Sequence, residues 1–495
     1  MVGFHGTKVD ADTESLLREC HLGGVILFAR NVESLDQVRR LTTKLQSIAR
    51  EPLLIAADQE GGVVIRFTQA TIFPGNMALG AANDVHLTKM VGEATGAELK
   101  YLGINLNLAP VLDVNNNPHN PGIGVRSFGE DPNQVAILGR AFIEGHQNWA
   151  WATAKHFPGK GDISIDSHID LPTVAHGKER LEEVELKPFI EAIAANVGAI
   201  MTAHVTFPAF DSTPGLPATL SQPVLTGLLK EELGFEGVVI TDDLEMGAIA
   251  KHFGIGEAAV MAVEAGADIV LVCHTREAQI EAYNALLKAF ESGRISKSRL
   301  DDALARIAKL KKGLNKYPYI LWHQNWQLAL EAAHKSVTVL KNNNLPILPD
   351  KDRKTLILFP EIAGLVQVED VQKSETLAPF LRDYGIECSE VYYSLKPEES
   401  QRKALIEKAK DFDLIIFCSY NAHLTPEQQL LGTALGSLKK TFIVAALRNP
   451  YDYSSFPTAD SFVCTYSYRQ ASLIALARVL SGQVKATGKI PVELL

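Results

Sequence analysis

An aspartate that leaves a buried strand without a break is well placed to be a nucleophile, and Asp242, directly after Gly237-Val-Val-Ile-Thr241, is such a residue. A carboxylate held against an anomeric carbon forms a covalent glycosyl-enzyme, dividing one hard substitution into two easier ones. Asp243 is its neighbour, and the expected use of that side chain is to cap the following helix by accepting backbone N–H bonds. The glycine-led segment Asp162-Ile-Ser-Ile-Asp-Ser-His168 carries Asp166 and His168 two residues apart, close enough to turn toward each other. A carboxylate on one imidazole nitrogen fixes the tautomer, and the other nitrogen then exchanges a proton with a leaving oxygen. On this spacing alone, an ordinary solvated loop histidine competes with the dyad. His156, His168, His204 and the aspartates near them also admit a metal reading, but no H-E-x-x-H or comparable spacing supports it, and no metal is expected.

These residues act together only if a frame brings them to one place. Eight short apolar runs supply one: Val2–Phe4, Gly24–Phe28, Leu53–Ala57, Ile104–Leu108, Trp151–His156, Ala199–His204, Val238–Thr241 and Ile269–Val272. They alternate with stretches of helical periodicity, including Ser34–Arg50, Leu87–Leu102, Val135–Asn148, Thr275–Ser292 and Lys297–Gly313, the pattern of a parallel sheet buried on both faces. Eight such units predict an N-terminal (β/α)8 TIM barrel over residues 1–325, whose active site lies at the C-terminal rim of the strands. Asp58, Glu60, Lys155, His156, His204, Asp242 and Asp243 all fall at that rim. An aromatic and polar connector starts at Lys316 with KYPYILWHQNW, and the linker proper is placed at 326–340. Residues 341–495 then repeat shorter strand and helix signals, which predict a smaller C-terminal α/β sandwich, without a P-loop or dinucleotide fingerprint.

Composition narrows the partner. Of the 495 residues 46% are apolar and 21% charged, ordinary for a globular chain, and the net charge of −10 with no basic block disfavours nucleic acid and anionic lipid. A neutral small molecule fits better. No apolar run is long enough to span a bilayer. The five cysteines are scattered and form no C-x-x-C pair, pointing to buried thiols and a cytoplasmic, reducing location.

At the candidate residues the chain resembles glycoside hydrolase family 3, in its β-N-acetylglucosaminidase branch and two-domain form. KHFPGKGDISIDSH at Lys155–His168 carries the resemblance, with ADQEGGVVIRF at Ala57–Phe67, NLAPVLDVNNNP at Asn107–Pro118, GVRSFGEDP at Gly124–Pro132 and ITDDLEMGAI at Ile240–Ile249. The resemblance implies a retaining enzyme with Asp242 as nucleophile, His168 as acid/base and Asp166 as its orienting carboxylate. It also implies that Asp58, Arg66, Arg126, Lys155 and His156 bind the terminal sugar, that no cofactor is required, and that the saccharide comes from peptidoglycan fragments or chito-oligosaccharides. Two other outcomes remain: a phosphorolytic enzyme, since an imidazole presents no fixed negative charge to an incoming phosphate, and a silent sugar-binding protein, which would not need a proton-transfer pair. Lys160 stands where the family signature reads a second histidine. Its expected effect falls on loop closure and the leaving group, with the nucleophile and dyad untouched, and the second domain is expected to be mainly structural.

Overall fold

The computed structural model describes residues 1–312, 318–365, 367–369 and 375–494; Gly313 at the end of one expected helix, and Lys316 and Tyr317 at the start of the connector, lie outside the described residues. Seven strands form one parallel sheet in sequence order: β1 (Gly24–Leu27), β2 (Leu54–Ala57), β3 (Leu106–Asn107), β4 (Trp151–Phe157), β5 (Ala199–Thr202), β6 (Val238–Asp243) and β7 (Ile269–Leu271). Val2 bridges Val25 on one side and Val272 on the other, both parallel, so it closes the ring. The first expected strand is thus present as a single residue that makes two bridges.

The apolar runs lack polar alternation because both faces are covered. Ile26, Leu54, Ala56, Leu106, Met201, Ile240 and Leu271 pack together inside the barrel. Their neighbours Val25, Leu27, Ile55 and Ala57 face outward onto the helix Leu35–Ile48, whose Val38, Leu41, Leu45 and Ile48 recur at helical spacing. Ser34 caps this helix by accepting from the Gln37 amide while the Gln37 side chain accepts from the Ser34 amide, which fixes where it starts.

The second sheet contains β8 (Thr338–Asn342), β9 (Thr355–Pro360), β10 (Cys388–Tyr393), β11 (Leu414–Ser419), β12 (Thr441–Ala446) and β13 (Ser461–Cys464), in the order β10-β9-β11-β12-β13-β8 with only β8 antiparallel. Helices such as Glu399–Ala409, Pro426–Gly436 and Gln470–Leu480 accompany it. The connector is more regular than its polar, aromatic composition suggests, since Trp322–Ser336 is a helix. Its Leu328, Ala329, Ala332 and Ala333 belong to one apolar core shared by barrel helices and the second sheet, so tertiary burial supports a helix that local composition understates. All five cysteines are free, and no helix among the described residues is long and apolar enough to cross a membrane.

Candidate active site

The strand ends of the barrel open into a cavity of about 320 Å³ lined by Asp58, Arg66, Arg126, Lys155, His156, Lys160, His168 and Asp242, among others. This volume is at the low end of small-ligand sites, about 300–1,000 Å³, and suits one sugar ring better than a long chain. Every candidate sugar-binding residue, with Asp242 and His168, lines it; Asp166 stands behind His168.

A buried charge network builds one side. Lys155, 1% exposed at the end of β4, places Nζ 2.8 Å from Asp58 Oδ1 and 2.7 Å from Glu60 Oε1. Arg66 donates to Asp58 Oδ2 at 3.0 Å, and Arg126 grips Glu60 with two bonds of 2.9 and 2.8 Å. Burial alone would disfavour both carboxylates, but Lys155 and Arg66 outweigh it at Asp58, and Arg126 and Lys155 at Glu60, so both stay below the usual carboxylate range. Lys155 and His156 are consecutive, yet both line the mouth, although side chains on a regular strand alternate between faces. The β4 register slips between Lys155 and Phe157 where it pairs with β5, and this irregularity lets adjacent residues share the mouth. Burial drives the His156 ring well below its ordinary range, assisted by Lys160 and Arg126, so it is neutral; Nδ1 points at Asp113 Oδ2 at 2.8 Å.

Asp242 and Asp243 separate clearly. Asp243 uses Oδ1 to accept from the Glu245 and Cys273 amides at 3.2 and 3.1 Å and sets Oδ2 3.2 Å from His274 Nε2, so it is spent on supporting the turn after β6. Asp242 Oδ1 accepts from the Asp243 amide at 2.9 Å, while Oδ2 faces Lys160 Nζ at 3.5 Å and His156 Nε2 at 3.9 Å. Burial would raise the Asp242 pKa, but Lys160, His204 and His168 reverse this, and the group stays below its ordinary value as an anion. His204 lies one layer down, with Nε2 donating to the Asp243 carbonyl at 2.9 Å and Nδ1 at 2.8 Å from Thr219 Oγ1.

His168 Nδ1 is 2.7 Å from Asp166 Oδ1, which also accepts the His168 amide at 3.0 Å. Burial disfavours the Asp166 anion, yet the bonds and charge from His168 hold its pKa down to about 2. The imidazole is therefore anchored through Nδ1, leaving Nε2 for proton exchange. Two backbone bonds tie this loop to the segment after β6: Gly247 and Ala248 amides donate to the His168 and Ser167 carbonyls, both at 3.1 Å. A Cβ on Gly247 would lie 2.6 Å from the Ile169 carbonyl oxygen and 2.7 Å from that of His168. Gly247→Ala is therefore expected to displace the dyad loop and lower kcat on the order of tenfold to a hundredfold with little change in Tm, as a misplacement of about 1 Å can do; steady-state kinetics beside a thermal melt checks this, and an unchanged kcat would show the loop is not so constrained.

Two expectations need correction. Lys160 does face the Asp242 carboxylate, because the loop following Phe157-Pro158-Gly159 turns its side chain inward. The second domain is also more than a support: Gln367 and Val368 line the cavity, and the Val368 carbonyl accepts from Arg66 Nη1 at 2.9 Å. It further holds two barrel loops, with Arg469 donating to the Gly62 carbonyl at 2.7 Å and Tyr451 Oη accepting from Asn115 at 2.9 Å. Asp113 is a site residue absent from the expected set, although NLAPVLDV places it just beyond β3; fully buried, it accepts from the amides of both His156 and Lys160. Its position after an apolar strand was the available signal. Phe28, Arg30 and His274 on the outer wall had no comparable mark.

The family model for the glycosyl hydrolase family 3 N terminal domain matches residues 1–310. Beta-hexosaminidase A of Pseudoalteromonas piscicida is 34% identical over 98% of this chain and 91% of its own length, and a beta-hexosaminidase of Alkalilimnicola ehrlichii is 38% identical over 56% of this chain and 81% of its own. Among solved structures, a glycoside hydrolase family 3 beta-N-acetylglucosaminidase from Paenibacillus sp. str. FPU-7 superposes with a TM-score of 0.95 at 43% identity, covering 100% of this chain and 97% of that one. With the barrel matched by the family model and the whole chain by relatives of the same kind, this protein belongs to glycosyl hydrolase family 3 and is a glycoside hydrolase.

Proposed function

We propose that the enzyme is a retaining β-N-acetylglucosaminidase that removes terminal β-linked N-acetylglucosamine from peptidoglycan-derived fragments or chito-oligosaccharides. The observation that carries this reading is that His168, anchored by Asp166, lines the same cavity as the ionised Asp242. Asp242 attacks the anomeric carbon, and protonated His168 hands its proton to the departing oxygen. In the second step neutral His168 takes a proton from water, and Asp166 stabilises the imidazolium in both. Asp58, Arg66, Arg126, Lys155 and His156 hold the sugar; the ionised Asp58 carboxylate accepts from its hydroxyls, and the cations donate to them. The specificity for N-acetylglucosamine is supported by the names of the relatives, and a cytoplasmic location by the five free cysteines.

His168→Ala tests the roles. Aryl β-N-acetylglucosaminides with good leaving groups need little acid assistance, so the variant keeps much of its glycosylation rate with them and falls on the order of 10²- to 10⁴-fold as the leaving group worsens. A uniform loss across the series would remove His168 from the acid role. The same series run with an aryl β-glucoside and with phosphate completes the test. Preference for the glucoside would overturn the specificity, and sugar 1-phosphate as the main product would make the enzyme a phosphorylase.

A further inference from the structure

We propose that Lys160 is a catalytic residue of the second half-reaction, its ammonium stabilising the Asp242 carboxylate as that carboxylate leaves the sugar. This rests on Asp242 being the nucleophile. The side chain is 4% exposed, and a buried ammonium is costly unless paired. The anion beside it is Asp242 Oδ2, 3.5 Å away. The loop that carries Lys160 holds it in place: its amide donates to Asp113 Oδ1 at 2.6 Å and its carbonyl accepts from Asn120 at 2.9 Å.

The charge balance changes along the reaction. In the free enzyme the ammonium faces a carboxylate. During glycosylation a lone pair of Asp242 forms the new bond to the anomeric carbon, the bond to the leaving oxygen breaks with its electron pair, and that oxygen receives the His168 proton. The resulting ester is neutral, and the ammonium has lost its nearest anion, leaving Asp113 and Asp166 to act on it from further away. When water attacks, its proton passes to His168, the ester bond breaks and the electron pair returns to Asp242 beside Lys160. The Lys160 ammonium therefore lowers the free energy of the carboxylate relative to the ester, making Asp242 a weaker nucleophile but a better leaving group. In a mouth shielded from water this attraction is stronger than it would be on the surface.

The test compares wild type, Lys160→Met and Lys160→Arg on 2,4-dinitrophenyl β-N-acetylglucosaminide, whose departure is easy enough for breakdown of the ester to limit turnover. Lys160→Met is expected to release a burst of one dinitrophenolate per active site and then turn over on the order of tenfold to a hundredfold more slowly than wild type. Its acid limb of kcat/KM moves upward by about one pH unit, because Asp242 has lost its neighbouring cation. Mass spectrometry of the quenched reaction finds the glycosyl-enzyme accumulated, and Lys160→Arg, which keeps the charge, retains most of the steady-state rate. Equal losses in kcat and kcat/KM without burst or accumulation, or unchanged kinetics, would overturn the proposal. An adduct on a residue other than Asp242 would overturn the nucleophile assignment itself. An adduct on Asp242 in wild type with none accumulating in Lys160→Met would overturn the role of Lys160 alone.

Discussion

Asp242→Ala is expected to lower kcat/KM on aryl β-N-acetylglucosaminides by on the order of 10⁴-fold or more, since removing the proposed nucleophile leaves only binding and acid assistance. The folded protein should tolerate the change. Asp242 anchors little beyond the amide of its own neighbour, whereas Asp243 carries the bonds that hold the turn. Its loss also relieves Lys160 of nothing but its counter-ion, so a moderate fall in Tm is acceptable while a collapse is not expected. Azide supplies the decisive control: a small anion in the vacated space should restore turnover and give the α-glycosyl azide, the product of a single inversion. Activity within tenfold of wild type, or a β-azide, would remove Asp242 from the nucleophile role.

Glu60→Ala is expected to destabilise the protein by about 3–5 kcal/mol and to abolish sugar binding, because it strips a carboxylate from two buried cations at once. Arg126 and Lys155 are almost fully excluded from solvent, and Glu60 bonds to both. Asp58 already shares Lys155 with Arg66 and cannot neutralise Arg126 as well. Urea unfolding measures the change, and a difference below about 1 kcal/mol, the value typical of exposed pairs, would show that the network is solvated. The same network gives the pH response. Asp58 and Glu60 ionise more readily in the folded protein than in the unfolded chain, so their stabilisation is complete above the ordinary carboxylate range and is lost as pH falls through their lowered values. Wild type should therefore lose stability only on strong acidification, and Glu60→Ala should show a shallower loss over the same interval.

The positions of the candidate site residues were largely legible in the sequence because the barrel converts one-dimensional order into convergence. Once eight apolar runs are recognised, whatever ends or follows a run lies at the same rim: Asp58 and Asp242 follow runs directly, and Lys155 and His156 end one. Asp166 and His168 were legible for a different reason, being only two residues apart. The run Val2–Phe4 was visible, but not its reduction to one bridging residue, because strand length is set by the neighbours it pairs with.

What the sequence by itself determined was therefore the order of elements and the chemical types of residue delivered to the barrel mouth; strand burial and loop spacing are local properties that the chain states directly. The tertiary structure decided which charge faces which. Lys160 meets Asp242 only because its loop folds back over Asp113, Glu60 rather than Asp58 takes Arg126, and Val368 reaches Arg66 from a strand-rich domain some three hundred positions away. Such contacts depend on distances across space between elements with no fixed separation along the chain, and short-range Coulomb and hydrogen-bond energies are decided by those distances.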